Sequence, residues 1–161
     1  MEAGFQIFKS LITHSFKSKW FLLTQLPSAF FSGVRVRKID EDRCEVSVPH
    51  QWFSKNPFRS TYFACLGMAA EMSTGALSLG HLFKKSPAVS MLVVHSTAEF
   101  FKKATDVTTF ICVDGLLLKK TIEEAISSGE SKSVAVKSVG KNVAGEVIAQ
   151  FQFTWSFKVK G

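Results

Sequence analysis

Thr61-Tyr62-Phe63-Ala64-Cys65-Leu66-Gly67-Met68-Ala69-Ala70-Glu71-Met72-Ser73-Thr74-Gly75-Ala76-Leu77-Ser78-Leu79 runs for nineteen residues with a single charge, Glu71. Apolar and small residues fall on every side of a helical projection, and a helix that is apolar all round is a buried one. Ser60 or Thr61 can cap its start. The reading predicts a central helix over residues 61–80, kept narrow by Ala64, Gly67, Ala70, Gly75 and Ala76. Gly67 and Gly75 each cost about 1 kcal/mol in helix propensity, a cost that makes sense where a sheet must approach closely.

The segments around this helix read mostly as strands. Upstream, Phe31 to Ile39 alternates in polarity, Asp40-Glu41-Asp42 makes a turn, and Cys44 to Val48 alternates again, which is a hairpin. His50 to Ser60 is a loop, with Pro57 where a central strand is not possible. Downstream, strands are expected over 89–103, 106–113, 132–138 and 144–158. In the last of these Val147, Ala149, Phe151, Phe153, Trp155 and Phe157 share one face. Residues 116–128 form an amphipathic helix stopped by Gly129. At the start, Phe5, Phe8, Leu11 and Ile12 recur at helical spacing, and Phe16, Trp20 and Leu23 continue it. One or two helices are therefore expected from Ala3 to Leu26, with Pro27 ending them. Their apolar face packs on the domain or lies on a membrane surface. The chain is read as one α+β domain, 1–161, with a helical N-terminal extension over 1–28.

Bulk properties narrow the function. Of 161 residues 46% are hydrophobic and 16 are Phe, which suits a large core or an apolar cavity. The formal charge is +7, but the basic residues are scattered, and the absence of an Arg-rich arm disfavours nucleic acid as a partner. No apolar run of about 20 residues is present, so no transmembrane helix is expected, nor is a signal peptide. Cys44, Cys65 and Cys112 are odd in number and far apart. They suggest neither a disulfide framework nor a zinc site, and fit a reducing cytoplasm. His50, His81 and His95 lack metal-ligand spacing, so no metal is expected. There is no phosphate-binding GxxxxGK[ST] loop.

Asn56-Pro57-Phe58-Arg59-Ser60-Thr61-Tyr62-Phe63-Ala64, followed by the helix bearing Glu71, resembles the asparagine, turn, helix and acid pattern of the hotdog-fold thioesterase superfamily. Ala98-Glu99-Phe100-Phe101-Lys102-Lys103-Ala104 and the strand from Gly145-Glu146-Val147 are similar to its later strands. The likeness covers roughly 31–158 and is closest to an uncharacterised, DUF4442-like branch. It implies a long antiparallel sheet wrapped around the central helix, in a homodimer or homotetramer whose partner subunit completes each site. It also implies an acyl-CoA thioesterase-like activity that needs no cofactor, with the coenzyme A thioester as substrate. Glu71 then falls on the catalytic acid, acting as base or nucleophile, and Asn56 on the residue that positions water or carbonyl. Ser60, Tyr62, Phe63, Ala64 and His95 make up the substrate-binding set. Arg59, Lys84, Lys85, Lys102 and Lys103 are candidates for the coenzyme A phosphates.

The chain departs from the family at Tyr62-Phe63-Ala64, where many members have His-Gly-Gly and bring backbone N–H groups onto the thioester oxygen. That departure keeps a second reading open, a fold that holds an acyl chain or other lipid without hydrolysing it. Read from the residues alone, Glu71 is either functional or a structurally paired carboxylate, since burying a lone carboxylate is costly. Asn56 is either functional or a turn residue before Pro57.

Overall fold

The computed structural model describes residues 3–160. Strands β1 (Arg35–Ile39) and β2 (Cys44–Val48) form the expected hairpin. Its turn is held by Asp40, whose Oδ1 accepts from the backbone N–H of Asp42 at 3.0 Å and of Arg43 at 2.8 Å. The remaining strands are β3 (Val89–Phe100), β4 (Thr108–Cys112), β5 (Lys132–Lys141) and β6 (Val147–Val159). They join one six-stranded sheet in the order β1-β2-β4-β5-β6-β3, with every neighbouring pair antiparallel. This is an α+β sheet packed on a long central helix, as the resemblance implies.

That helix is the fourth in chain order, α4 (Phe63–Leu82), after the helices of the N-terminal extension; it packs against β1, β2, β4, β5 and β6. Its start lies two residues later than the sequence suggests. The N–H of Thr61 donates to Ala104 O at 2.7 Å and that of Tyr62 to Ser54 O at 2.7 Å. Both residues are thereby held extended, and Tyr62 is the N-cap. At the other end the helix runs on through His81, which is buried with Nε2 2.8 Å from Glu41 O. The sheet side of the core is built from Val46, Val48, Phe110, Val136, Ile148, Phe151 and Phe157, all buried, and the helix answers with Leu66, Ala69, Ala70 and Leu77.

The N-terminal extension is three helices: α1 (Ala3–Thr13), α2 (Ser15–Gln25) and α3 (Pro27–Phe31). The break between the first two falls at His14, whose side chain accepts from Lys17 N. Pro27 begins a helix rather than ending one, and the helical part reaches Phe31, not residue 28. At the first helical position proline loses no hydrogen bond and its fixed φ suits the helix. Phe5, Phe8 and Ile12 of α1 are buried, and Phe5 packs so close to Gly80 that a Cβ there would lie 2.5 Å from its ring. Helix α5 (Gly115–Ser128) buries Leu118, Ile122 and Ala125 at i, i+4 and i+7. The expected strand to Lys103 stops at Phe100, because the N–H groups of Phe101 and Lys102 both turn to Ile148 O.

Candidate functional site

Glu71 lies midway along α4 on the side that meets the N-terminal helices. It is half-buried, and no hydrogen bond or ion pair from the described residues reaches its carboxylate. Oε1 rests against the bare Cα of Gly75, one turn on, where an added Cβ would come within 2.9 Å of it; the Trp155 ring packs on the same spot. Loss of water around the carboxylate pushes its pKa up. The carboxylate borders two adjoining cavities of about 170 and 180 Å³. Ile12, Phe21, Leu22, Leu26, Met72, Ala76, Leu79 and Met91 wall the first, and Leu26, Pro27, Ala29, Met68 and Met72, with the polar Gln25 and Ser28, the second. A carboxyl group whose pKa is raised in an apolar recess is suited to take a proton from water near neutral pH.

Behind Glu71 a buried polar chain fixes the helix on the sheet. Trp155 Nε1–H donates to Thr74 Oγ1 at 2.9 Å, and the Thr74 hydroxyl donates to the Glu71 carbonyl at 2.9 Å. On the neighbouring helix position, Ser73 Oγ lies 2.7 Å from Ser138 Oγ.

A second recess, of about 550 Å³, opens at the N-terminus of α4. Asn56, Ser60, Tyr62, Phe63, Phe100, Lys102 and Lys103 are among its lining residues. At this helix start the backbone N–H groups of Phe63, which borders the recess, and of Ala64, the next residue, have no acceptor among the described residues, as the first N–H groups of a helix do not. Their position gives two donors and a positive helix end for an oxyanion. Asn56 is half committed. Its Oδ1 accepts from Phe58 N at 3.0 Å, Ser60 N at 3.2 Å and Ser60 Oγ at 3.2 Å, which closes the loop. Its Nδ2 donates to no described residue, and Asn56 borders both this recess and a neighbouring cleft. The Tyr62 and Phe63 rings pack edge to face at 4.9 Å and are largely exposed.

The sequence-predicted residues therefore divide. Asn56, Ser60, Tyr62, Phe63 and the half-buried Ala64 gather at the helix start. Glu71 sits eight residues further along, about 12 Å at 1.5 Å per residue. His95 is exposed on β3 beside a bulge, in register with Thr154 and away from both recesses. Of the lysines, Lys102 bonds Glu146, and Lys103 Nζ donates to Phe58 O at 3.3 Å. Arg59 lines a neighbouring cleft with His50, Trp52 and Lys55. Lys85 is drawn to Glu123 at 3.7 Å. Sequence reasoning missed the walls of the Glu71 cavities that come from α1, α2 and Met91, and the Trp155–Thr74 bond. The apolar spacing of the N-terminal helices announces that something is covered there, but not what. Among the described residues no cluster of His, Cys, Asp and Glu could hold a metal ion, and no helix is long and apolar enough to cross a membrane.

Residues 19–157 match the family model described as a domain of unknown function, DUF4442. The chain belongs to the DUF4442 family. No curated protein matches it by sequence. Among solved structures, a Chlorobaculum tepidum protein of unknown function is similar with a TM-score of 0.78 at 16% identity, covering 98% of this chain and 97% of its own. A Pseudomonas aeruginosa protein of unknown function described as a probable thioesterase gives 0.75 at 18% identity, covering 93% and 99%. A thioesterase from Haemophilus influenzae gives 0.61 at 10% identity, covering 92% and 95%. At such identities the likeness shows the fold, and this DUF4442 chain has the hotdog architecture those proteins share.

Proposed function

We propose that this DUF4442 protein hydrolyses acyl thioesters, coenzyme A esters being the substrate class, at sites shared between two copies of the chain. The observation that carries this reading is the isolation of Glu71: a carboxylate with no partner among the described residues and a raised pKa, bordering largely apolar cavities. Within one chain the acid and the donors are about 12 Å apart along α4. A second copy is the economical way to bring one protomer's Glu71 to the other's helix start. Strand β3 offers the means. It is twelve residues long, pairs with β6 on one side only, and leaves Leu92, Val94 and Phe100 exposed. A long, exposed, apolar edge strand is a template for pairing with another chain.

In the reaction the thioester oxygen accepts from Phe63 N–H, Ala64 N–H and Asn56 Nδ2. Glu71 removes a proton from water, the water oxygen attacks the carbonyl carbon, and the C–S bond breaks. The thiolate leaves and takes a proton, giving a free acid and a thiol. No cofactor enters. Three free, buried cysteines accord with a reducing cytoplasm. A panel of acyl-CoA esters, followed by thiol release, tests the reading. Hydrolysis that Glu71→Gln abolishes is expected, and an inactive wild type of native dimer mass overturns it.

One observation favours a second reading, a binder without chemistry. Phe63 stands where many members of the superfamily the chain resembles have glycine, and its exposed ring lies in edge contact with Phe100 at 6.4 Å beside the donors. Native mass spectrometry that finds a retained acyl lipid in an inactive protein would favour that reading.

A further inference from the structure

Helix α2 is apolar on two opposite faces. Leu22 is buried and Phe21 and Ser18 are half-buried, so this side packs on the domain. On the other side Phe16, Trp20 and Leu23, at i, i+4 and i+7, form a ridge that points into solvent, with Phe16 74% and Trp20 62% exposed. Lys17 and Lys19, both exposed, flank the ridge on its two sides. A soluble helix with one packed face has no use for a second aromatic stripe, and exposed Phe and Trp at helical spacing mark an interaction surface.

The charge around the ridge says what covers it. Helices α1 and α2, which form this face, carry Lys9, Lys17 and Lys19 and no acid. A protein partner of ordinary composition would not be selected by such a surface, whereas an anionic bilayer would. Aromatic side chains enter the headgroup boundary while the flanking lysines stay at phosphate level, the arrangement of a helix that lies in a membrane interface. Beside the ridge, between α1 and α2, a groove of about 340 Å³ lined by Leu11, Phe16, Lys17 and Trp20 gives room for an acyl segment.

From this geometry we infer that α2 is a membrane-surface anchor, docking the protein on bilayers rich in anionic lipid through Phe16, Trp20 and Leu23. The inference is independent of hydrolysis. The full chain, carrying Trp52→Phe so that Trp20 dominates the exposed indole emission, is mixed with vesicles of phosphatidylcholine alone or with phosphatidylserine. Co-sedimentation and a blue shift are expected with phosphatidylserine and fade with added salt. Phe16→Ser/Trp20→Ser, a change confined to exposed side chains, removes the co-sedimentation. Lys17→Glu/Lys19→Glu weakens it by more than about tenfold. No binding to phosphatidylserine vesicles, or undiminished binding by Phe16→Ser/Trp20→Ser, overturns the inference. So does a fall in native mass on Phe16→Ser/Trp20→Ser without lipid, which would show that a second copy of the chain covers the ridge.

Discussion

The indole N–H of Trp155 on β6 donates to the hydroxyl of Thr74 on α4 at 2.9 Å, and the same hydroxyl passes its own hydrogen to the carbonyl of Glu71. The two residues tie the turn of helix that carries the candidate acid to the strand whose ring lies beneath its carboxylate. Thr74 is fully buried and Trp155 nearly so. Thr74→Val keeps the shape and leaves the indole N–H with no partner, a loss of about 1–3 kcal/mol. Urea unfolding should show it. Thr74→Val/Trp155→Phe should be less destabilised than the sum of the single changes, because they remove two ends of one bond.

The carboxylate itself should weaken the fold at neutral pH. Its folded pKa lies above its unfolded value through loss of hydration. As pH rises through the ordinary carboxylate range, the unfolded chain releases its proton first, so stability falls until the folded pKa is reached and stays reduced above it. Glu71→Gln removes this penalty. It should be more stable than wild type near pH 7, with the gap closing as pH drops toward 4, while thiol release from acyl-CoA is lost. A stability gap that does not change with pH would mean that Glu71 is not held in a desolvated state.

The three thiols should be inert in the folded protein. Burial pushes the Cys112 pKa up to about 12 and that of Cys44 higher still, each helped by nearby acids and, for Cys44, by Cys112 itself, its register partner across β2 and β4. Reaction requires the thiolate. Titration with a disulfide reagent at pH 8 should release almost nothing until denaturant is added, then react with all three cysteines. Rapid labelling of Cys44 or Cys112 in the native state would contradict the buried β2–β4 pairing.

Much of this architecture was legible in the order of the residues. The apolar run around Glu71 demanded burial, and Phe151, Phe153, Trp155 and Phe157 on alternate positions demanded a strand to bury it against. The errors came where a long-range bond outweighed local propensity. Thr61 and Tyr62 look helical, yet their N–H groups are taken by Ala104 and Ser54, and Lys102 leaves its strand for Ile148. Asn56 was recognisable as a site or a turn residue, and it is held in a turn by its Oδ1 with only Nδ2 free for a ligand. The walls of the Glu71 cavities could not be read, since nothing local to Phe21 or Leu26 records that α4 lies beneath them.

Three glycines on α4 separate packing from chemistry. At Gly67 a methyl group would meet Phe151 at an ordinary 3.6 Å. Gly67→Ala should therefore gain most of the helix-propensity difference, up to about 1 kcal/mol. At Gly80 it would strike the buried Phe5 ring at 2.5 Å. Gly80→Ala must displace α1 and should lose about 1–3 kcal/mol by overpacking. Gly75 lies between these cases. Its methyl would press on Glu71 Oε1 at 2.9 Å and on Trp155 at 3.4 Å. The carboxylate is the free end of a flexible side chain and can give way, so propensity and crowding nearly offset one another in stability. The carboxylate then no longer sits where the native helix places it. Gly75→Ala should melt close to wild type and hydrolyse acyl-CoA more slowly, with Gly67→Ala as the active control. Equal activity in the two would show that the position of Glu71 is not what the bare Cα of Gly75 preserves.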